Sequence, residues 1–383
     1  MENVLLVFGG RSYEHDISIV TASQISSKTR LENVNLVPIY ISKENRFFVY
    51  QEDRFTLSDF ANFSENKPSK KFKEVVFVSG EKGKLFSKSL FGLKEYLSTN
   101  LAIIACHGGD GENGRLVSFL ESHGIFSSSG GADGLAVAMN KMLFKNVMKA
   151  NKIPVVSGFE INKDIYGTSR KIYDYRIKFL QFPVVIKPAN GGSSIGLFVA
   201  ENKNDFEKKI MQAFEFDDNV VVEKFISGAR EFNVAVMGDF ERCLVSEVDE
   251  PLKVGEVLSF EDKYLSGGKS GKGLKDSSMA SQLRKFPADI SDGLKEKIRG
   301  YAKQVFILLK LSGVARIDFL FDEVKGKVYV CEVNSVPGSL AYYFFSRGKV
   351  LINDFVERLI DIARIKSEQS DNFNSQFVTN VLK

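Results

Sequence analysis

VVIKPANGGSSIGLFVA, residues 184–200, is the most informative stretch of the chain for its architecture. Apolar runs at Val184–Lys187 and Leu197–Ala200 flank a loop rich in glycine and serine, which predicts two antiparallel strands joined by a hairpin loop. A Walker-type phosphate loop joins a strand to a helix, so the pattern excludes one here. The loop still offers unobstructed backbone N–H groups that suit contact with a polyphosphate, although an ordinary turn has the same composition.

The region before this hairpin predicts a different kind of sheet. Apolar runs at Val4–Phe8 and Leu101–Cys106 each enter a glycine-rich turn and then a helical pattern, and Leu36–Ile41 forms a further run between them. Strands that alternate with helices predict a doubly wound parallel sheet, whose ligands collect at the carboxyl ends of the strands. Residues 44–96 interrupt this pattern and are typical of a hairpin insertion. A Ser/Gly-rich stretch at residues 127–134 marks the first domain boundary and leads into a predicted helix over residues 135–151.

The region after the hairpin ends in a second hairpin whose two faces differ in polarity. In Val314–Phe321 alternate residues point to opposite sides, so Arg316 and Asp318 share one face. Glu332 and Asn334 share a face of the partner strand in the same way, which predicts that Cys331 lies on the opposite face, in the core. Two carboxylates and an amide can therefore converge, and such oxygen ligands suit Mg²⁺. A hairpin with one solvated face explains the same alternation, so the pattern alone leaves both interpretations open.

The composition excludes several classes of protein. The 383 residues are 44% hydrophobic and 26% charged, as in ordinary soluble globular proteins, and the length suggests two or three domains. The net charge of 52 − 48 = +4 is spread along the chain, so we expect neither a nucleic-acid nor a membrane partner. Three dispersed cysteines without a CxxC pair fit a reducing compartment. Without a signal-peptide pattern or an apolar run of about 20 residues, we expect a cytoplasmic protein.

A competing interpretation rests on HGGDGENG, residues 107–114. Its glycines Gly109, Gly111 and Gly114 form a GxGxxG pattern after a strand and before a helix, and Asp133 follows about 20 residues later. This is the dinucleotide-binding fingerprint, which predicts a nicotinamide oxidoreductase. Asp133, however, lies in a Ser/Gly-rich stretch rather than at the end of a second strand, where it could reach a ribose. The fingerprint therefore stays an alternative.

The order of the motifs resembles that of a known family. FGGRSYEHDIS, HGGDGENG, AVAMNK, VVIKPANGGSSIG, VVEKFISGAREF, DKYLS, ARIDF and CEVNSVPG occur in the same order and at similar spacings as in D-alanine–D-alanine ligases of the ATP-grasp superfamily, over residues 1–362. The resemblance implies an α/β fold of three domains, in which an N-terminal doubly wound parallel sheet precedes two antiparallel sheets that hold ATP between them. It places the domains at residues 1–130, 131–222 and 223–365, with a tail at 366–383.

The resemblance also implies roles for individual residues. It assigns ATP to Lys141, Lys187, Ser194, Glu223, Lys224, Ile226, Glu231 and Lys263. It assigns the first D-alanine to Glu14 and His107, and a triad that fastens a lid to Glu14, Ser193 and Tyr264. It assigns two Mg²⁺ or Mn²⁺ ions to Asp318, Glu332 and Asn334, which agrees with the face pattern above. We expect D-alanine as the partner and a homodimer as the assembly.

The implied reaction passes through a D-alanyl phosphate. The carboxylate of the first D-alanine attacks the γ-phosphate of ATP, and the amine of the second attacks the acyl phosphate. Arg316 and the backbone N–H of Gly338 match the donors that stabilise the tetrahedral oxyanion. Tyr264 favours D-alanine over D-lactate as the second substrate.

One segment departs from the family pattern. PGSLAYYFF, residues 337–345, replaces the usual Thr/Ser-rich stretch, so Tyr343 and Phe344 occupy the positions that contact the second substrate. A tyrosine hydroxyl can replace the serine, but the pocket becomes bulkier and more apolar. Another ATP-grasp ligase, which joins a carboxylate to a different amine, is therefore the alternative within the same superfamily.

Overall fold

The computed structural model describes residues 1–52, 55–252 and 284–371, and the predicted lid residues Lys263 and Tyr264 lie outside these ranges. The strands are β1 (Glu2–Gly9), β2 (Val34–Ile41), β3 (Phe47–Tyr50), β4 (Phe72–Phe77), β5 (Lys84–Ser89), β6 (Gly92–Ser98), β7 (Leu101–Ile104), β8 (Phe126–Ser127), β9 (Gly158–Asn162), β10 (Val184–Pro188), β11 (Phe198–Ala200), β12 (Asn219–Lys224), β13 (Arg230–Gly238), β14 (Cys243–Val245), β15 (Glu250–Pro251), β16 (Arg284–Lys285), β17 (Gly313–Asp322) and β18 (Lys327–Asn334). The α-helices are α1 (His15–Lys28), α2 (Leu57–Ala61), α3 (Arg115–Ser122), α4 (Ala132–Met139), α5 (Lys141–Ala150), α6 (Lys163–Tyr166), α7 (Arg170–Leu180), α8 (Lys203–Ala213), α9 (Asp292–Leu308), α10 (Tyr342–Ser346) and α11 (Ile352–Asp371).

The N-terminal sheet is parallel in its central part. Strands β2, β1, β7 and β8 are neighbours in this order and pair in parallel, as the alternation with helices α1 and α3 predicts. Residues Val4–Phe8 of β1 are inaccessible to solvent, as expected for a strand covered on both faces. The glycine turns after β1 and β7 therefore lie together, at the carboxyl ends of adjacent strands.

The insertion at residues 44–96 contains the predicted hairpin, formed by β4 and β5, and this hairpin is part of an extension of the sheet. Strands β3, β4, β5 and β6 add to β2 one after another, each antiparallel to its neighbour. Aromatic residues fasten the added strands to the core: the ring centroid of Tyr40 in β2 lies 6.5 Å from that of Phe48 in β3 and 5.9 Å from that of Phe72 in β4. The N-terminal sheet is therefore a mixed sheet, with a parallel half next to the site and an antiparallel half beyond it.

Two further sheets are antiparallel, as the two hairpins predict. One has the strand order β11-β10-β12-β9 and the other β14-β13-β17-β18. The hairpin β10–β11 contains the glycine-serine loop, and the hairpin β17–β18 contains the polar face. The short strands β15 and β16 pair with each other beside the second sheet.

The single helix predicted over residues 135–151 is two helices, α4 and α5, that meet at Asn140. The backbone of Asn140 is extended (φ −86°, ψ 107°), and its side chain accepts hydrogen bonds from the N–H groups of Met142 and Leu143. The backbone N–H of Lys141 bonds to the carbonyl of Ala189 at 2.9 Å. This break therefore places the first turn of α5 against the loop that follows β10.

Helix α11, the last one in the described part of the chain, runs past residue 366, where the sequence predicts that the tail begins. The Lys366 ammonium donates to the Ser129 carbonyl at 2.6 Å, and the Asn100 amide donates to the Ser367 hydroxyl at 2.9 Å. The first six residues of the predicted tail thus belong to α11, which packs beside β7 and β8. Among the described helices, none combines the length and apolar character needed to cross a bilayer.

Candidate functional site

A cleft between the two antiparallel sheets gathers most of the residues expected to contact nucleotide. It encloses about 1160 Å³, counting the open space at its mouth, which is sufficient for a ligand of nucleotide size. One wall comes from β10, β12 and the loop after β10, and the other from β13, β17 and β18. The expected residues that line it are Lys141, Lys187, Ser194, Glu223, Lys224, Ile226, Glu231, Arg316, Asp318 and Glu332.

Two buried lysines share one carboxylate in this cleft. Glu223 Oε1 lies 2.8 Å from Nζ of Lys145 and 2.9 Å from Nζ of Lys187. Burial disfavours the charged form of Glu223, but the two lysines outweigh burial and lower its pKa to about 2. Burial lowers the pKa of Lys145, whereas for Lys187 the charge of Glu223 and its neighbours exceeds the effect of burial and raises the pKa. Lys187 is therefore held as a cation in the cleft.

This cluster predicts a specific pH dependence of stability. Because the pKa of Glu223 falls from 4.5 to about 2 on folding, its stabilising contribution is complete above about pH 4.5 and is lost as the pH falls towards 2. Glu223→Gln leaves two lysines without their anion and is expected to lower the free energy of unfolding by about 3–5 kcal/mol at pH 7.

Chemical denaturation of both proteins between pH 7 and pH 3 measures the effect. Other carboxylates titrate in both proteins, so the difference between the two curves isolates Glu223. We expect that difference to shrink with acidification. A difference that stays constant would show that the carboxylate is not held in its charged form.

Lys141 connects helix α5 to the glycine-serine loop. Its Nζ donates a hydrogen bond to the Gly191 carbonyl at 2.5 Å, and burial lowers its pKa. In the same loop Ser193 and Ser194 have φ values of 54° and 60°, in the left-handed region that residues other than glycine rarely adopt. The bond from Lys141 to Gly191 and that from Ser193 to Glu14 thus help to maintain a backbone shape that these residues do not prefer by themselves.

Glu14 and Ser193, two members of the predicted triad, are in contact. The Ser193 hydroxyl donates a hydrogen bond to Glu14 Oε1. A side chain at Gly108 would approach Glu14 Oε2 to 2.8 Å, so the glycine turn after β7 makes room for the carboxylate. Glu14 therefore joins both glycine turns of the N-terminal sheet to the loop after β10. Tyr264, the third member, lies outside the described residues.

Asp318 and Glu332 face each other across β17 and β18, and Arg316 faces Asn334. Arg316 holds the Asp318 carboxylate at two points, Nε to Oδ1 at 2.7 Å and Nη2 to Oδ2 at 2.9 Å. Asn334 Nδ2 donates to Asp318 Oδ2 at 3.0 Å. Within the described residues no three His, Cys, Asp or Glu side chains form a metal-binding group. Two carboxylates and one amide fit Mg²⁺ when substrate phosphates supply the remaining oxygens.

Cys331 occupies a position that simple alternation does not predict. Alternation places it opposite Glu332, in the core. The strand register shifts between Asp318 and Phe319, so Cys331 is the extra residue of a β-bulge and lines the same cleft as Glu332. Burial raises the pKa of its thiol to about 12, so the sulfur is an uncharged part of the wall.

Both ring nitrogens of His107 are engaged. Nδ1 lies 2.5 Å from the Val336 carbonyl, which can only accept, so Nδ1 carries the proton. Nε2 lies 2.7 Å from the Thr21 hydroxyl and accepts from it. Burial lowers the pKa of His107, consistent with a neutral ring. His107 is therefore tied to the segment that leads into Gly338.

The sequence pattern failed to identify Glu112 and Lys145. Burial and the nearby charge of Glu14 raise the pKa of Glu112 to about 8, and its Oε1 accepts from the Val336 N–H at 3.0 Å. The available signal for Glu112 is a carboxylate in the loop after β7, but the glycines around it match a dinucleotide-binding fingerprint, which assigns no role to this residue. Lys145 gave no signal, because a lysine in an amphipathic helix normally faces solvent.

Tyr343 and Phe344 lie in α10 among other rings and do not line the cleft. Their own rings are 4.6 Å apart, and the guanidinium carbon of Arg284 lies 4.7 Å from the centre of the Tyr343 ring. Arg284 pairs with Asp249 at 2.7 Å, and both of these side chains are nearly inaccessible. The part that Tyr343 and Phe344 play in binding a second substrate stays a prediction.

The GxGxxG pattern has a structural explanation other than dinucleotide binding. A side chain at Gly111 would collide with the Cys106 carbonyl, and one at Gly114 would lie 2.6 Å from the Ala132 carbonyl. Asp133 lies in the first turn of α4, not at the end of β2. Close packing within the protein therefore requires two of the three glycines.

Comparison with known proteins agrees with this geometry. Family models described as "D-ala D-ala ligase N-terminus" and "D-ala D-ala ligase C-terminus" match residues 3–127 and 147–360. The chain is 34% identical to a D-alanine--D-alanine ligase of Thermosipho melanesiensis over 387 aligned positions, which cover 100% of this chain and 99% of that protein.

Solved structures show the same fold. The D-alanine-D-alanine ligase from Coxiella burnetii superimposes with a TM-score of 0.76 at 22% identity, over 97% of this chain and 96% of that chain. The VanG D-Ala:D-Ser ligase from Enterococcus faecalis also has a TM-score of 0.76, at 23% identity over 94% of this chain and 99% of that chain. Proteins named for different second substrates thus share this architecture.

Proposed function

Because this chain belongs to the D-alanine–D-alanine ligase family, we propose that it joins two D-alanine molecules, with conversion of ATP to ADP and phosphate, to supply D-alanyl-D-alanine for peptidoglycan. The observation that supports this most directly is the meeting of opposite charges in one cleft. Lys141, Lys187 and Arg316 line it together with Asp318 and Glu332. A site that brings a carboxylate to a polyphosphate needs both sets of charges.

ATP binds between the two antiparallel sheets in this proposal. The adenosine lies along the segment from β12 to β13, where Lys224, Ile226 and Glu231 line the cleft beside Glu223. The phosphates point towards Lys141, Lys187 and Ser194, with Lys263 as a further contact from the lid. Glu223 affects the bound nucleotide indirectly in this proposal. Its charged oxygen faces the ammonium groups of Lys145 and Lys187, so it holds these two lysines in place.

Asp318, Glu332 and Asn334 would hold one or two Mg²⁺ or Mn²⁺ ions, which neutralise phosphate charge when bound. Lys187 and Lys141 reduce the repulsion between the carboxylate of the first D-alanine and the γ-phosphate. Glu14, oriented by Ser193, receives the ammonium group of the same D-alanine. Arg316, aimed by its two bonds to Asp318, donates with the Gly338 N–H to the oxyanion that forms when the second amine attacks.

The direct test measures ADP release and dipeptide formation by the purified chain with Mg-ATP and D-alanine. We expect one ADP for each D-alanyl-D-alanine formed, and no release with L-alanine. ATP binding without any ADP release in the presence of D-alanine would contradict the proposal. A panel of D-serine, D-lactate and other amines as the second substrate then identifies the acceptor.

Tyr343 supports a second candidate function, ligation of D-alanine to a different acceptor. Its bulk and its packing against Arg284 distinguish this position from the small serine expected of the family. In the acceptor panel this candidate predicts rapid formation of D-alanyl phosphate, seen as D-alanyl hydroxamate with hydroxylamine, together with slow D-alanyl-D-alanine formation.

The remaining organisation is also a proposal. We propose three domains at residues 1–130, 131–222 and 223–365, in keeping with one sheet of four or more strands in each. A homodimer in the cytoplasm is the proposed state of the active protein.

A further inference from the structure

The segment after β18 has an unusual backbone. Following Gly338, the residues Ser339, Leu340 and Ala341 have φ values of 53°, 46° and 51°. Left-handed conformations are unfavourable for residues with a side chain, and they persist only where surrounding contacts maintain them. The turn that presents the Gly338 N–H is therefore held in place by other parts of the protein.

Those contacts come from the N-terminal region, from the loop after β7 and from helix α1. Glu112 Oε1 accepts from the Val336 N–H at 3.0 Å, and His107 Nδ1 donates to the Val336 carbonyl at 2.5 Å. Two residues of α1 hold the other end of the turn: Thr21 Oγ1 accepts from the Ser339 N–H at 3.1 Å, and Gln24 Oε1 accepts from the Ser339 hydroxyl at 2.6 Å.

The two contacts at Val336 are complementary. One side chain satisfies the N–H of this residue and the other satisfies its carbonyl, so rotation of either adjoining peptide breaks a hydrogen bond. The Ser335 hydroxyl adds a bond to the backbone carbonyl of Glu112 at 3.3 Å. The loop after β7 thus fixes the backbone just before Pro337 and Gly338.

We propose that Glu112 and His107 are positioning residues that clamp the Val336 backbone and thereby aim the Gly338 N–H at the oxyanion formed in the second step. The inference rests on the proposed ligase function. It assigns the glycine turn of the N-terminal domain a part in the acyl-transfer step carried out on the C-terminal sheet.

The inference makes Glu112 a hydrogen-bond acceptor and not a proton carrier, and one pair of variants separates these roles. Glu112→Gln keeps a carbonyl oxygen for the Val336 N–H, so we expect kcat within about fivefold of wild type. Glu112→Ala removes the acceptor, and misplacement of the oxyanion donor is expected to lower kcat for dipeptide formation by about 10²-fold. His107→Asn and His107→Ala form a parallel pair for the Val336 carbonyl.

The readout separates the two chemical steps. ATP is labelled with ¹⁸O in the bridge between its β- and γ-phosphates. When D-alanyl phosphate forms and the step then reverses, the β-phosphate of the bound ADP can rotate first, so the label moves to a non-bridging oxygen of ATP, an exchange called scrambling. Slowing only the second step raises scrambling per dipeptide formed, and this rise is the result expected for Glu112→Ala, with KM for ATP within about twofold of wild type. Asp110→Ala, a half-exposed carboxylate in the same loop, is the matched control and should behave as wild type.

Three results would overturn the inference. Equal loss in Glu112→Gln and Glu112→Ala would make the carboxylate a proton carrier. Parallel loss of scrambling and dipeptide formation in Glu112→Ala would mean that the variant fails before the second step. Unchanged kcat in Glu112→Ala would show that the contact between Glu112 and Val336 does not contribute to catalysis. Failure of the ligase function itself differs from all three, because the wild-type chain would then show no scrambling and no ADP release with D-alanine.

Discussion

Arg316→Lys is expected to lower kcat for dipeptide formation by about 10²–10³-fold, the loss that follows removal of one oxyanion donor. Lysine keeps the positive charge but lacks the planar fork that bonds both oxygens of Asp318, so the cation is no longer aimed. Initial rates of ADP release and dipeptide formation, at saturating ATP and D-alanine, measure the effect.

Arg230→Lys provides the matched control. On the neighbouring strand β13, Arg230 bonds both oxygens of Glu250 at 2.7 and 2.9 Å, in the same geometry but without lining the cleft. We expect its activity to stay within about twofold of wild type. Similar losses in both variants would indicate a general effect on the sheet, and normal turnover by Arg316→Lys would contradict the oxyanion role.

Glu332→Gln is expected to reduce turnover by about 10³-fold or more, because charge stabilisation through a bound metal ion contributes several kcal/mol to the transition state. The substitution preserves shape and removes one of the two facing carboxylates, so Asp318 alone remains as an anionic ligand. The fold should be retained, since Glu332 faces the cleft. Rates across a titration of Mg²⁺ and Mn²⁺ measure the loss and any recovery at high metal concentration.

Glu323→Gln is the control for this substitution. Glu323 lies in the exposed turn that joins the same two strands, and its carboxylate is 3.4 Å from Arg230. We expect an unchanged metal dependence for Glu323→Gln. A Glu332→Gln variant with wild-type turnover and wild-type metal affinity would show that the metal assignment is wrong.

The polar face of the last hairpin was predictable because strand geometry acts over short distances. Alternation with a period of two placed Arg316 with Asp318, and Glu332 with Asn334, and the register brings these pairs together. The same rule was wrong for Cys331, because a β-bulge breaks the period at one residue. No residue type marks that bulge in the sequence, because a bulge depends on how two strands pair and not on the sequence of either strand alone.

The insertion and the split helix show the same limit. Apolar and aromatic runs in residues 44–96 indicated a hairpin, and β4 and β5 form it, but its place beside β3 and β2 could not be assigned, because strand order depends on which edge of the sheet is open. Asn140 is a good helix cap by residue type, yet its role became evident only where Lys141 meets the Ala189 carbonyl. The ends of helices and strands within apolar segments are therefore set by tertiary contacts and not by secondary-structure propensity alone.

The mixed α/β class, the two hairpins and the set of charges facing the cleft all follow from the amino-acid sequence, because periodicity and turn residues act within a few positions. The contacts of Lys145 with Glu223, and of Glu112 and His107 with Val336, are evident only in the folded structure. The two contacts with Val336 span 224 and 229 residues, a separation over which no local pattern acts. Packing of whole sheets brings such groups together, and the burial that drives packing carries no information about which polar partners will meet.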